Sequence, residues 1–325
     1  MDAQHRKTMV AWLSVISNTS LVAGKLAIGL LIGSVSVISE AIHSGVDLLA
    51  AVIALFAVKT SHKVADEEHP FGHGKVENIS GTIEALLIFL AAGWIIYEAL
   101  HKLLRPTPLE AAGWGVGVMF VSSVVNIIVS EMLFKVGRET DSMALQADAW
   151  HLRTDVYTSA GVMVGLALIL VGERFLPGVD LLWLDPVAAI LVALMIVHAA
   201  WRLTRDSGRD LLDASLPVEE IDRIRELVRG FGSPVRGFHH LRTRKGGANR
   251  FVEFHLVVDK DLSVEKAHQV ADALTTAIKA NLTAATVTIH VEPCDGRCRP
   301  ACLEGCMLAE AERAVVRSQT RNAPS

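Results

Sequence analysis

The sequence predicts a membrane all-α bundle of six helices followed by a small cytoplasmic α+β domain. Hydrophobic residues make up 51% of the 325 positions, more than a single soluble core is expected to use. Six apolar stretches long enough to cross a bilayer precede about residue 206. From Asp206 onward the chain is charged and lacks long apolar runs. We therefore expect a transmembrane domain at 1–207, a soluble domain at 208–293 and a Cys-rich tail at 294–325.

The apolar stretches define the predicted topology. They run roughly Met9–Ile32, Val35–Val58, Ile79–Leu100, Ala111–Phe134, Met143–Val171 and Leu181–Leu203. The first lacks a small-residue cleavage site, which favours an uncleaved helix over a signal peptide. Ten Lys and Arg residues lie on the side of the membrane that holds the N-terminus, and three lie on the opposite side. By the positive-inside rule both termini are cytoplasmic, and we expect a bacterial inner membrane.

An acid-x-x-His-x-x-x-Asp pattern occurs twice within these stretches. The first copy comprises Glu40, His43 and Asp47, and the second Asp148, His151 and Asp155. Residues at these spacings share one helix face, and ionisable groups at bilayer depth mark functional sites. Two His–Asp pairs brought together would offer two nitrogens and two carboxylates to a zinc-like cation. The alternative is a pair of polar faces that only form hydrogen bonds inside the bundle.

The charge of this ligand set suggests a mechanism. Two carboxylates and two neutral imidazoles carry two negative charges, which balance one divalent cation. Without metal the same charges are costly inside a membrane, so the site is expected to take up protons. Metal binding requires unprotonated ligands and expels those protons. Metal and protons should therefore compete for one site, as an antiporter requires.

Over about residues 8–293 the chain resembles the cation diffusion facilitators, a family of divalent-metal/proton antiporters. The resemblance rests on the six helices, the two His–Asp pairs, the small C-terminal domain and the segment from Asp66 to Lys75. It implies that the transport site consists of His43, Asp47, His151 and Asp155. The best-studied bacterial members carry Asp where this chain has His43. The His form resembles zinc-selective members, which predicts good zinc transport and poor cadmium transport.

The segment between the second and third helices contains a second candidate metal site. Pro70, Gly72 and Gly74 exclude a continuous helix across this segment. The family resemblance implies an exposed metal site at Asp66, His69 and His73, which can converge if the turn folds back. A solvated loop that only joins two helices is the alternative.

The soluble domain reads as helix, strand, strand, helix, strand after Pro217. In the last strand Val287 and Ile289 alternate with His290 and Glu292. This αββαβ order is similar to the ferredoxin-like domain of the family, and the resemblance implies a homodimer. It also implies metal binding at His239, His255, His268, His290 and Glu292, with His240 as an alternative to His239.

All four cysteines lie in the tail at every fourth position: Cys294, Cys298, Cys302 and Cys306. A cytosolic location favours thiolate chemistry over disulfides. The interpretations are a four-thiolate zinc site, a copper(I) or iron–sulfur site, and an unstructured redox-sensitive tail. The polar residues after about Arg313 are expected to be disordered.

Other polar residues in the helices are less informative. Four of them either line the cavity or form interhelical hydrogen bonds, and the second interpretation is favoured: Asn18, Glu84, Asn126 and Glu131. Lys25 and Arg153 are expected to pair with acids or to extend toward the membrane surface, and we assign them no transport role. No organic cofactor is expected, and a net charge of −4 without a basic stripe predicts no nucleic-acid partner.

Alternative functions are an exporter of iron(II), cobalt, manganese or cadmium, an intramembrane metalloenzyme, and a metal sensor. The enzyme is disfavoured because neither repeat matches H-E-x-x-H. The sensor is disfavoured because the chain shows no signalling module. We therefore predict a transporter that is not an enzyme.

Overall fold

The computed structural model describes residues 3–32, 35–105, 113–175 and 183–321. The chain divides into an N-terminal unit, Met1–Leu211, and a C-terminal unit, Leu212–Ser325. The boundary lies four residues beyond the predicted one, because the sixth helix continues into its charged last turns.

The N-terminal unit contains the six predicted helices. They are α1 Ala3–Ile32, α2 Val35–Ser61, α3 Lys75–Leu104, α4 Gly113–Glu139, α5 Met143–Phe175 and α6 Leu184–Leu211. Several are longer than their apolar stretches, because backbone hydrogen bonding continues into polar end turns that hydropathy does not mark. Within the described residues, five helices are long and apolar enough to cross a membrane, and α5 is not among them. Its first half carries Asp148, Arg153 and Asp155.

Small residues let the helices of this unit pack closely. The most extensive contacts join α3 to α6, α1 to α2 and α4 to α5. Ala54 and Ala85 are fully buried. At Gly81 an added Cβ would lie 2.6 Å from Ser207 Oγ, so this glycine permits the contact between α3 and α6. Large apolar side chains such as Phe56 and Trp94 point outward, as expected for a surface that faces lipid.

Hydrogen bonds to one buried carboxylate connect four segments of this unit. The Glu77 carboxylate in α3 accepts hydrogen bonds from Lys7 in α1, from Ser61 at the end of α2 and from Ser142 just before α5. Glu77 is 1% exposed. A buried carboxylate needs such partners, and here they hold one end of α2 at a set position relative to the start of α5.

The C-terminal unit has the predicted order of helices and strands. It comprises α7 Val218–Gly230, β1 Val235–Gly246, β2 Asn249–Val258, α8 Val264–Asn281 and β3 Ala285–Pro293. The sheet order is β1-β2-β3, with β1 antiparallel and β3 parallel to β2. Val252, Phe254 and Leu256 pack in one core with residues of α7 and α8. Alternate strand residues, including His255, lie on the opposite face.

The chain after β3 is folded, which corrects the expectation of disorder after Arg313. It forms α9 Pro300–Glu304 and α10 Glu310–Arg321. The Ala309 N–H donates to Glu312 Oε2 at 2.9 Å at the start of α10, and Leu308 is buried. Polar composition suggested disorder, but this capping and the burial of Leu308 stabilise the helix. Residues 322–325 lie outside the described residues.

Candidate metal centres

The helix site, defined as His43, Asp47, His151 and Asp155, is assembled by two cross-helix pairs. His151 Nε2 of α5 lies 3.1 Å from Asp47 Oδ1 of α2, and His43 Nε2 lies 3.6 Å from Asp155 Oδ1. Each histidine thus meets the aspartate of the other helix. The reciprocity follows from opposite helix directions, because four residues forward on α2 correspond to four residues back on α5.

Three of these side chains already converge. Ligand atoms of His43, Asp47 and Asp155 all lie within 4.8 Å of one another. His151 reaches this group through its contact with Asp47 and is itself 4% exposed. The structure therefore brings together all four residues that the sequence singled out, three as a compact set and one behind it.

A cavity of about 230 Å³ opens beside this group. His43, Asp47 and Asp155 line it. Asp155 Oδ2 is buried and, within the described residues, lacks a hydrogen-bond partner. A buried, unpartnered carboxylate oxygen beside a polar cavity suits a cation or a polar ligand.

The cavity wall includes polar residues to which sequence reasoning gave little weight. Lys25 lines it and donates from Nζ to Ser44 Oγ at 2.8 Å. Asn126 also lines it, and its buried Oδ1 has no partner among the described residues. That oxygen therefore accepts no interhelical hydrogen bond within the described residues, and Asn126 lines the cavity, which was the less favoured interpretation. The sequence gave a reason to include Ser44 in the cavity wall, because it directly follows His43. It could not show that α1 and α4 border the same cavity.

The loop site, defined as Asp66, His69 and His73, folds back as expected. The two carboxylate oxygens of Asp66 lie 3.3 Å from His69 Nδ1 and 3.4 Å from His73 Nε2. A turn at Gly72, with φ of +79°, brings the histidines together, and their ring centroids are 4.4 Å apart. The His69 N–H donates to Asp66 and holds the pKa of that carboxyl below its usual value. The group is exposed apart from His73.

A row of histidines crosses the open face of the C-terminal sheet. His239 of β1 pairs in register with His255 of β2, which pairs with His290 of β3. A bulge follows His239, and His240 adopts φ of +53°. Both rings therefore face His255, each with its centroid 5.1 Å from the His255 ring. His240 thus lies beside His239 and does not replace it.

Glu292 joins these histidines into the histidine cluster, defined as His239, His255 and Glu292. His255 Nδ1 lies 2.7 Å from Glu292 Oε1, and His239 Nε2 lies 3.1 Å from Oε2. Desolvation opposes ionisation of Glu292, but the hydrogen bond to His255 and the charges of both histidines outweigh it. The pKa of Glu292 is therefore below its usual value, and the carboxylate is ready to bind a cation.

Two predicted ligands lie at or beyond the edge of this cluster. His290 Nε2 is 3.6 Å from Glu292 Oε1, on the same strand face. His268 lies on α8, exposed, with Nε2 3.3 Å from Asp272 Oδ2 one turn away. Within the described part of this chain, His268 is not in the group that converges with Glu292. Its role as a ligand stays a prediction.

The four cysteines are free thiols, all partly buried. They line a cleft of about 500 Å³ together with His239, His255 and Glu292. Burial raises the pKa of the Cys302 thiol, and Cys306, Cys294 and Cys298 raise it further because they are close enough to repel its thiolate. The tail therefore lines this opening with all four cysteines, but among the described residues they form no group of three or more whose ligand atoms lie within 4.8 Å of one another.

Both units match domain families of known proteins. Residues 11–212 match the cation efflux transmembrane domain, and residues 216–294 match the cytoplasmic domain of cation efflux proteins. An uncharacterized transporter from Synechocystis is 36% identical over 87% of this chain and 89% of its own length. The cation-efflux pump FieF of Salmonella choleraesuis is 31% identical over 86% of this chain and 93% of its own. The solved zinc form of CzrB is 43% identical, covers 26% of this chain and 97% of its own, and has a TM-score of 0.24.

Proposed function

This chain belongs to the cation diffusion facilitator family of cation efflux transporters, and we propose that it exports zinc from the cytoplasm in exchange for protons. The observation that carries the proposal is the convergence of His43, Asp47 and Asp155 within 4.8 Å. With His151 behind Asp47, the helix site offers two nitrogens and two carboxylates. This set suits a tetrahedral zinc-like ion.

The cross-helix pairing supports the exchange for protons. In each pair a histidine nitrogen faces an aspartate oxygen, at 3.1 and 3.6 Å. A proton on each imidazole neutralises both carboxylates through these contacts. One divalent cation neutralises the same two charges, but it needs the nitrogen lone pairs that the protons occupy. The site therefore alternates between two protons and one divalent ion.

Movement of the cargo requires the site to open to one side at a time. The helices that carry it differ in their most extensive contacts, which α2 makes with α1 and α5 makes with α4. Rocking of these pairs would separate His43 from Asp155 and His151 from Asp47. Loaded with two protons or one metal ion, the site carries no net charge during that movement, which lowers the cost of crossing the membrane interior.

The choice of zinc rests on residue 43. An imidazole at this position makes half of the ligands nitrogen, and imidazole suits zinc and other transition metals better than harder cations. Iron(II), cobalt(II), manganese(II) and cadmium are the competing cargoes within the same function.

The other metal groups and the topology complete the proposal. The loop site and the histidine cluster bind zinc from the cytoplasm and regulate or stabilise the transporter. Both termini are cytoplasmic in the inner membrane, as the distribution of Lys and Arg predicts. The chain forms a homodimer through its C-terminal unit, as the resemblance to the family implies.

Flux measurements test the proposal. The purified protein is reconstituted in liposomes with a pH gradient, and zinc and proton movements are followed with separate dyes. We expect zinc entry to be coupled to opposite proton movement, and both to cease in Asp155→Asn. Asp222→Asn is the matched control, since it removes an exposed carboxylate that belongs to none of the proposed metal groups. Zinc flux without proton movement refutes the exchange, and full flux in Asp155→Asn refutes the assigned site.

A further inference from the structure

The tail after β3 is attached to the edge of β1 by main-chain contacts. The Phe238 N–H donates to Gly305 O at 3.1 Å, and the Met307 N–H donates to Arg236 O at 2.9 Å. Cys306 and Gly237 form an antiparallel bridge between these bonds. An added Cβ at Gly305 would lie 1.7 Å from Phe238 O, so only glycine permits this approach.

This attachment closes one side of a cleft that contains all four thiols. The cleft of about 500 Å³ is bordered by Cys294, Cys298, Cys302 and Cys306 on the tail and by His239 on the sheet. The buried Nδ1 of His239 has no hydrogen-bond partner among the described residues. The enclosed groups are therefore thiols and an available imidazole nitrogen, all of them ligands that transition metals prefer.

The charges around the cleft fit thiolates that carry a divalent ion. Arg297, Arg299 and Arg313 line it, and Arg317 Nε donates to Cys298 Sγ at 3.2 Å. Four thiolates around one divalent cation leave two negative charges, which nearby guanidinium groups offset. Arginine fits this role because it stays protonated and donates several hydrogen bonds to sulfur.

We propose that Cys294, Cys298, Cys302 and Cys306 form a thiolate site for a soft divalent cation of the zinc class, adjacent to the histidine cluster and distinct from it. Binding releases the thiol protons and draws the four sulfurs into a tetrahedron. Cys294 follows Glu292 by two residues, so metal at the thiolates is connected through one strand end to the carboxylate of the histidine cluster. The proposal does not depend on the transport cycle.

Cobalt(II) distinguishes this site from the others, because thiolate coordination produces intense near-ultraviolet charge-transfer bands that imidazole and carboxylate ligands do not. The experiment uses the full chain, purified in detergent under reducing conditions and stripped of metal. We expect the bands in the native protein and in His255→Ala. Replacing all four cysteines with serine should abolish them and lower the zinc content by one ion per chain.

Gly305→Ala tests whether the thiolate site depends on the contact of the tail with β1, and not only on the presence of the four cysteines. It leaves every cysteine in place but forces the tail away from Phe238, so we expect weaker charge-transfer bands and faster reaction of the thiols with a disulfide reagent. Glu304→Ala, at the exposed neighbouring position, should behave as the native protein does. Zinc should protect the native thiols from the reagent.

Three results would overturn the proposal. They are equal zinc content in the native and four-serine proteins, absence of thiolate bands, and an iron–sulfur chromophore in the protein as purified. Copper(I) in place of zinc in the protein as purified would overturn the assigned metal class. Size-exclusion profiles matching the native protein confirm that each variant is folded before these results are compared.

Discussion

The helix site and the histidine cluster use the same ligand types in different proportions and on different backbones. The helix site has two imidazoles and two carboxylates on α2 and α5, whereas the cluster has two imidazoles and one carboxylate on adjacent strands. Strands in register hold their side chains at a set separation, whereas two helices can move apart. We infer that the helix site is suited to release its ion and the cluster to retain one.

The largest expected effect tests whether zinc transport depends on the charge of the helix site and not on that of the histidine cluster. Asp47→Asn removes a ligand and one of its two negative charges, so zinc transport should fall more than about 100-fold, given that even indirect ligand partners contribute about 10–100-fold. Glu292→Gln makes the same chemical change in the cluster and should leave measurable transport. Zinc flux in liposomes provides the measurement. Equal losses of zinc transport in the two variants would contradict the proposed difference between the helix site and the histidine cluster.

A second test examines retention by the cluster. In a chain whose tail cysteines are serine, His255→Ala should weaken the tightest zinc binding by about 10–100-fold, because it removes a ligand and its hydrogen bond to Glu292. Competition with a zinc chelator measures this affinity. His101→Ala is the control, since this exposed histidine of α3 belongs to none of the candidate metal groups. An unchanged affinity in His255→Ala would exclude the cluster as the tight site.

A third test exchanges one ligand type for the other in the helix site. His43→Asp adds a harder, anionic ligand and a third negative charge, so cadmium transport relative to zinc should rise about tenfold. Zinc and cadmium fluxes are measured side by side for both proteins. If the native protein carries cadmium as well as the variant does, residue 43 does not determine selectivity.

The smallest expected effect is on the acid limit of binding by the cluster. The pKa of Glu292 is below its usual value, so this carboxylate stays ionised at pH values where an ordinary glutamate begins to take up a proton. Its protonation should therefore not limit zinc binding between about pH 5 and 8. Glu292→Gln should lower zinc affinity by a similar factor at every pH in that range, because the native carboxylate is ionised throughout. Zinc titrations at several pH values test this, and a loss of affinity that disappears toward the acid end would show that Glu292 is already protonated there.

Local patterns in the sequence were sufficient to predict the features in which apolar or polar residues recur at helical or strand spacing. Apolar stretches predicted the six helices, and the helix–strand–strand–helix–strand order of the C-terminal unit was confirmed. Helical spacing also placed His43 with Asp47 and His151 with Asp155 on shared faces. Such features depend on periodicity, which the backbone imposes within a few residues.

Sequence reasoning failed where distant segments meet. It gave Lys25 no role at the helix-site cavity and preferred an interhelical hydrogen bond for Asn126, although both residues line that cavity, from α1 and α4. It did not predict the bulge that turns His239 and His240 toward the same ring. It also assigned disorder where α10 forms. The first two depend on contacts between residues far apart in sequence, whereas the capping bond from the Ala309 N–H to Glu312 is local and was overlooked.

By itself, the sequence determined the helices, the order of helices and strands in the C-terminal unit and the choice of candidate metal ligands, because these follow from hydropathy, periodicity and ligand chemistry. Only the tertiary structure decided which of those side chains meet. Opposite helix directions pair each histidine with the other helix's aspartate, and strand register aligns His239 with His255. Gly305 lets the tail approach the edge of β1 closely. The physical reason is that packing and register act across the whole fold, whereas periodicity acts only along the chain.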